Sequence, residues 1–92
     1  MTVFSAKEVE KALKRIGFKM ETGDHNYFRL YIDGKRTSIR TKTSHNKQDI
    51  GDALIEKMRK QVHLTKKQFI DLINNNMTTE QYIAILKENQ LI

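Results

Sequence analysis

Residues 25–32, His25-Asn26-Tyr27-Phe28-Arg29-Leu30-Tyr31-Ile32, alternate in chemical character and run directly into Asp33-Gly34. Successive side chains of a β-strand point to opposite faces, so His25, Tyr27, Arg29 and Tyr31 share one face while Phe28, Leu30 and Ile32 take the other. An Asp-Gly pair supplies the backbone of a two-residue hairpin turn, which predicts that Ile32 pairs with Lys35 and Tyr31 with Arg36. Continued unbroken, the same register sets Arg40 opposite Tyr27 and Lys42 opposite His25. One face of the hairpin is then apolar, and the other collects His25, Tyr27, Arg29, Tyr31, Arg36, Ser38, Arg40 and Lys42. A solvated face of cations interleaved with aromatic rings is suited to nucleic acid, and its histidine adds a means of moving protons.

The flanking segments supply helices. Ser5 with Glu8 forms a capping box, Val9, Leu13 and Ile16 recur at helical spacing, and Gly17 is a C-terminal stop, which together predict a helix over 5–17. Residues 18–22, with Phe18 and Met20, read as a first strand ended by Gly23-Asp24. Strands two and three span 25–32 and 35–42. The polar segment Thr43 to Gln48 is loop-like, and Ile50, Leu54, Met58 and Val62 predict the buried stripe of a second helix over 48–62, with Gly51 tolerable in its first turn. Thr65 with Gln68 caps a short helix over 65–73 that buries Phe69, Leu72 and Ile73. Thr78 with Gln81 caps another over 78–88 that buries Tyr82, Ile83 and Leu86, with Asn74-Asn75-Asn76 as the turn between them.

Two helices with one apolar stripe each, and a sheet with one apolar face, pack most economically with both helices on that face. The expected fold class is α+β: an α-β-β-β-α domain over 1–64 with a three-stranded antiparallel sheet, in the layout of double-stranded-RNA-binding-like folds. Residues 65–92 form a C-terminal two-helix extension, packed on the core because no proline or low-complexity linker precedes it.

Ninety-two residues sustain one modest core. The absence of cysteine excludes a disulfide framework and a thiolate metal site, and fits a reducing compartment. No apolar run has the length of a membrane span and no signal-peptide pattern is present, so the chain reads as soluble and cytoplasmic. The net charge is +6 and the pI about 9.7. Residues 1–64 hold 14 Lys/Arg against 8 Asp/Glu, whereas residues 65–92 hold 3 against 3, so all the excess positive charge lies in the first two thirds. An RNA, DNA or acidic protein partner docks there, although such charge also serves solubility alone. Lys7, Lys11, Lys14 and Arg15, opposite the apolar stripe of the first helix, read as a solvated face or as a phosphate-contacting stripe. His25, His45 and His63 show no zinc spacing, and there is no Gly-rich phosphate loop or paired-carboxylate set, so neither a metal nor a cofactor is expected. The segment Thr78 to Glu88 carries only Lys87 against Glu80 and Glu88, which opposes a DNA-binding helix-turn-helix.

Three stretches in this order resemble the HicA family of toxin–antitoxin mRNA interferases, small basic proteins with an α-β-β-β-α fold. Leu13-Lys14-Arg15-Ile16-Gly17-Phe18 is similar to the family's helix end and Gly-Phe strand start. Gly23-Asp24-His25 stands where the family has Gly-Ser-His or Gly-Thr-His with the catalytic histidine last. His45-Asn46-Lys47, leading into Ile50-Gly51, is similar to the family's second histidine, nearby lysine and glycine ahead of the closing helix. Asp24 replaces the small hydroxyl residue, the proline usual before the second histidine is absent, and residues 65–92 extend beyond the compact family domain.

The resemblance implies a metal-independent endoribonuclease acting on single-stranded RNA and neutralised by an antitoxin that covers the sheet face. RNA is cut without a metal when its 2′-OH attacks the adjacent phosphate, which needs a proton carrier titrating near neutrality and cations beside the phosphorane. His25 is the catalytic candidate, with Lys42 and His45 auxiliary. Tyr27 and Tyr31 offer rings for unpaired bases, and Arg29, Arg36, Arg40 and Lys47 complete the RNA-binding set. Blander readings stand beside these: His25 as a strand-edge histidine bonded to a loop carbonyl, His45 as a loop or helix-entry residue, and His63 as solvent-facing. Asp24 either raises the pKa of His25 and orients its ring or repels a substrate phosphate. In the second case the chain is a non-catalytic RNA-binding module using the same face.

Overall fold

The computed structural model describes residues 3–21, 26–43 and 49–92. Ser5 accepts a hydrogen bond from the Glu8 N–H at 3.1 Å and starts α1 (Ala6–Ile16). Gly17 ends it at φ 128, a conformation L-residues rarely adopt, with its N–H shared between the Leu13 and Lys14 carbonyls. The Gly17 carbonyl accepts from the Tyr31 N–H at 3.1 Å, so the helix stop is also the first rung of the sheet. β1 (Phe18–Glu21), β2 (Asn26–Ile32) and β3 (Lys35–Thr43) follow as an antiparallel sheet with β2 in the centre. Asp33 and Gly34, at φ 53 and 78, form the expected tight turn, and Ile32 pairs with Lys35 and Tyr31 with Arg36.

Beyond Arg36 the register departs from the sequence expectation. Arg29 pairs with Arg40 and Tyr27 with Lys42, so Leu30 alone lies opposite Thr37, Ser38 and Ile39. Thr37 closes the irregularity: its hydroxyl donates to the Leu30 carbonyl at 2.7 Å and accepts from the Ile39 N–H at 3.3 Å. Lys42 is therefore opposite Tyr27 rather than His25, and Arg40 opposite Arg29 rather than Tyr27. Because the shift is by two residues, each side chain keeps its expected face.

Phe18, Phe28, Leu30 and Ile39 turn inward against Val9, Leu13 and Ile16 of α1. α2 (Asp52–Gln61) starts later than expected. Ile50 is not helical but bridges to Phe4, with paired N–H to carbonyl bonds of 2.7 and 2.9 Å. The buried stripe therefore restarts as Ile55, Met58 and Val62, and Leu54, expected in the core, is 41% exposed. α3 (Lys66–Ile73) and α4 (Thr79–Glu88) both carry reciprocal capping boxes, Thr65 with Gln68 and Thr78 with Gln81. Phe69, Leu72, Tyr82 and Leu86 are fully buried in the same cluster as the sheet, whereas Ile73 and Ile83 are only partly covered.

Tyr82 and Arg15 reinforce the packing of α3 and α4 on the rest. Tyr82 stacks on Phe18 at a centroid distance of 6.0 Å and donates its hydroxyl proton to the Val62 carbonyl at 2.8 Å. Arg15, read from the sequence as part of a solvated or phosphate-contacting stripe, instead binds the carbonyls of Leu72 at 2.7 Å and Met77 at 3.1 Å. It adds a charged donor to the Leu72 carbonyl, which also accepts from the Asn75 N–H at 3.3 Å, and supplies one to Met77 in the turn to α4.

Tyr82→Phe leaves the buried Val62 carbonyl without this donor and is expected to cost about 1–3 kcal/mol in urea unfolding. Burial pushes the Tyr82 hydroxyl above its ordinary pKa of 10.0, so stability falls as pH rises beyond that value, and Tyr82→Phe removes that portion of the alkaline loss. Arg15→Ala is expected to cost a similar amount and to raise amide exchange in α3 and α4 more than in the sheet.

Candidate nucleic-acid interface

With one sheet face covered, β2 and β3 present Tyr27, Arg29, Tyr31, Arg36, Arg40 and Lys42 together on the other, as expected from the alternation. Asp24, His25, His45 and Lys47 lie outside the described residues. His63 is exposed, at the C-terminal end of α2. Among the described residues no group of three or more His, Cys, Asp or Glu is clustered as metal ligands would be.

The face divides into two electrostatic regions. Glu21 of β1, level with Tyr27, leans toward the hairpin and takes up the cations there. Its Oε1 accepts from Arg29 Nε and Arg36 Nη2, each at 3.2 Å, and its Oε2 accepts from the Tyr31 hydroxyl at 3.2 Å. Arg29 also donates through Nη1 to the Thr37 carbonyl at 2.9 Å, which leaves its side chain only 14% exposed. Lys19 Nζ sits 4.7 Å from the centre of the Tyr31 ring. Desolvation by itself raises the Glu21 pKa, but the hydrogen bonds from Arg29, Arg36 and Tyr31, with the Arg36 charge, outweigh it and hold the carboxyl below its ordinary 4.5.

Sequence reasoning missed Glu21. The signal lay in the first strand: with Phe18 turned inward, Lys19 and Glu21 must share the outer face. Glu21 pairs directly with Tyr27 and reaches Arg29 on the diagonal.

At the end where β2 begins, Arg40 and Lys42 lie outside the Glu21 network. Lys42 is exposed and has no bonded partner among the described residues. Arg40 Cζ lies 5.5 Å from the centre of the Tyr27 ring, a cation–aromatic stack at the surface. Beneath them, two inward threonines anchor β3 to the helices. Thr41 donates its hydroxyl to Gln61 Oε1 of α2 at 2.6 Å, and Thr43 to Glu10 Oε2 of α1 at 2.9 Å. Tyr27, Arg40, Thr41, Lys42 and Gln61 line a groove of about 230 Å³ at this end. Gln61 carried no sequence signal, because nothing local marks which residue at a helix end meets a distant strand. The arrangement can hold a phosphate through Arg40 and Lys42 while stacking a base against Tyr27.

A family model described as the HicA toxin of bacterial toxin–antitoxin systems matches residues 6–64, from the start of α1 to just beyond α2. Neither a search of curated proteins nor one of solved structures returned a match. The matched segment covers α1, all three strands and α2, the elements that build the open face, and on that match this chain belongs to the HicA family of toxins of bacterial toxin–antitoxin systems.

Proposed function

We propose that this toxin is a metal-independent endoribonuclease of single-stranded RNA, with His25 as its proton-transfer group and Arg40 and Lys42 as the cations at the scissile phosphate. The observation that supports this reading most directly is the end of the sheet where β2 begins. Asn26, the residue after His25, pairs with Thr43, and the exposed Lys42 and the Arg40–Tyr27 stack adjoin it. In the proposed step His25 takes the proton of a ribose 2′-OH as the oxygen attacks the adjacent phosphorus. The P–O5′ bond breaks, the leaving 5′ oxygen gains a proton with His45 as auxiliary donor, and a 2′,3′-cyclic phosphate remains. Arg40 and Lys42 stabilise the charge that grows on the phosphorane. Lys47 adds a phosphate contact.

No described helix is long and apolar enough to cross a membrane, and the proposed site of action is the cytoplasm. The antitoxin of the system is proposed to cover the same face with acidic or bulky side chains complementary to Arg40 and Lys42. The position of Asp24 beside His25 favours one alternative, an RNA-binding module that does not cut.

The test is purified protein with single-stranded RNA in the presence of a chelator. Cleavage is expected to persist and to leave cyclic-phosphate and 5′-hydroxyl ends. His25→Ala is expected to slow it by about 10²–10⁴ with little change in RNA affinity, and His45→Ala to cost less. Equal activity of the His25 variant would remove it from the mechanism, and inactivity of the native chain would leave the binding module.

The division of the face gives a second expectation. Lys42→Ala should flatten the slope of log affinity against log salt by about 0.7, whereas Glu21→Gln should tighten binding and steepen the slope by about 0.7 for each arginine it frees. Because the Glu21 pKa is lowered by folding, its contribution to stability is present above pH 4.5 and fades as the pH falls through the lowered value. Glu21→Gln should remove that part of the acid sensitivity, read by thermal unfolding between pH 3 and 6, a range of roughly ±1.5 units about the ordinary carboxylate value.

A further inference from the structure

Gln61 is the last residue of α2, and it reaches the sheet through Thr41. Thr41 points inward and is 2% exposed, so its hydroxyl needs an acceptor within the protein, and Gln61 Oε1 supplies one at 2.6 Å. That bond fixes which way the amide lies. Thr41 takes one lone pair of the amide oxygen and holds that atom toward β3, and the NH₂ group, with two donors, is left for a ligand.

Gln61 is itself exposed and lines the groove with Tyr27, Arg40 and Lys42. At about 230 Å³ the groove is smaller than the roughly 300–1,000 Å³ of pockets for drug-sized ligands and suits a single nucleobase. Its walls divide the work of holding one nucleotide. The Tyr27 ring with the Arg40 guanidinium over it is a planar surface for stacking, Lys42 is a point charge for phosphate, and the Gln61 NH₂ is a directional donor for a carbonyl oxygen or ring nitrogen on a base edge. Stacking on the Tyr27 ring and the point charge of Lys42 accept any base, whereas the amide is a directional donor placed to discriminate.

We propose that Gln61 is a specificity-determining residue, and that this groove seats one unpaired RNA nucleotide with its base on the Tyr27–Arg40 surface and an acceptor atom turned to the Gln61 NH₂. The inference rests on the RNA-binding reading above, and it gives α2 a part in recognition as well as in the core.

The experiment measures affinity of the full chain for 2′-O-methyl octamers of uridine, cytidine and adenosine, and for a baseless sugar–phosphate octamer. The methyl group blocks cleavage, and a uniform sequence places the same base in the groove whatever the register. The native chain is expected to favour the base-bearing octamers over the baseless one and to discriminate among the three bases by about three- to tenfold, the scale of one net hydrogen bond. Two variants remove the donors. Gln61→Met is neutral and of similar length, and Gln61→Glu keeps an acceptor for Thr41. Both should compress the discrimination to within about twofold, the ratios within one variant cancelling any uniform electrostatic loss, while Gln61→Met leaves affinity for the baseless octamer unchanged. Variants that keep the native ratios, or a native chain that binds all four octamers equally, would overturn the subsite and leave phosphate binding in place. A native chain that binds none of them at low salt would overturn the RNA reading itself.

Discussion

Phe28 and Leu30, at 0% and 1% exposure in the central strand, decide the geometry of the candidate interface. Each contributes roughly 1.5–3 kcal/mol by leaving water. The opposite arrangement would also press Arg29 into the core, where an uncompensated charge costs several kcal/mol. The two effects have the same sign, so the facing of β2 is not adjustable. Once Phe28 and Leu30 point at α1, the pleat places Tyr27, Arg29 and Tyr31 on the far side, and the hairpin brings Arg36, Arg40 and Lys42 beside them. The interface is what the burial of those two side chains leaves outside.

Features of the fold that depend on a few adjacent residues were legible in the sequence. The Thr65–Gln68 and Thr78–Gln81 boxes, the Gly17 stop, the Asp33-Gly34 turn and the alternation of β2 each carry their cause within four residues or so, and each is found where its chemistry puts it. What escaped depends on pairing across distance. The two-residue register shift at Leu30 is invisible to a turn rule that speaks only for the pairs nearest the turn. Leu54 looked like a core residue because Ile50 looked helical, and Ile50 is claimed instead by Phe4, far away in sequence. Glu21, Arg15 and Gln61 are charged or polar residues that local reasoning leaves in solvent, and each proves to be held by a partner on another element.

Electrostatics reshapes the picture drawn from net charge. The excess positive charge of residues 1–64 suggests an evenly basic sheet face, yet the Glu21 carboxylate gathers Arg29, Arg36 and the Tyr31 hydroxyl around itself. An anion arriving at Arg29 or Arg36 competes with a carboxylate that is already in place and never diffuses away. Lys42, by contrast, is paired with no carboxylate among the described residues. The face therefore has an unevenness that the composition does not reveal, with Lys42 left beside the groove lined by Tyr27, Thr41 and Gln61. The same network gives the hairpin end order, because Arg29 also ties Glu21 to the Thr37 carbonyl beside the register shift.

That shift carries a consequence for how the gene of such a protein tolerates change. Thr37, Ser38 and Ile39 stand against Leu30 alone, a surplus of two residues in β3 that Thr37 seals with its own hydroxyl. Losing or gaining residues here in pairs preserves which side of the sheet every later side chain occupies. A single-codon insertion or deletion does not: it would send Arg40 and Lys42 under the helices and bring Ile39 or Thr41 and Thr43 out to water. Length variation in this hairpin is thus quantised in steps of two, a parity rule imposed by the pleat and independent of which residues are added or lost.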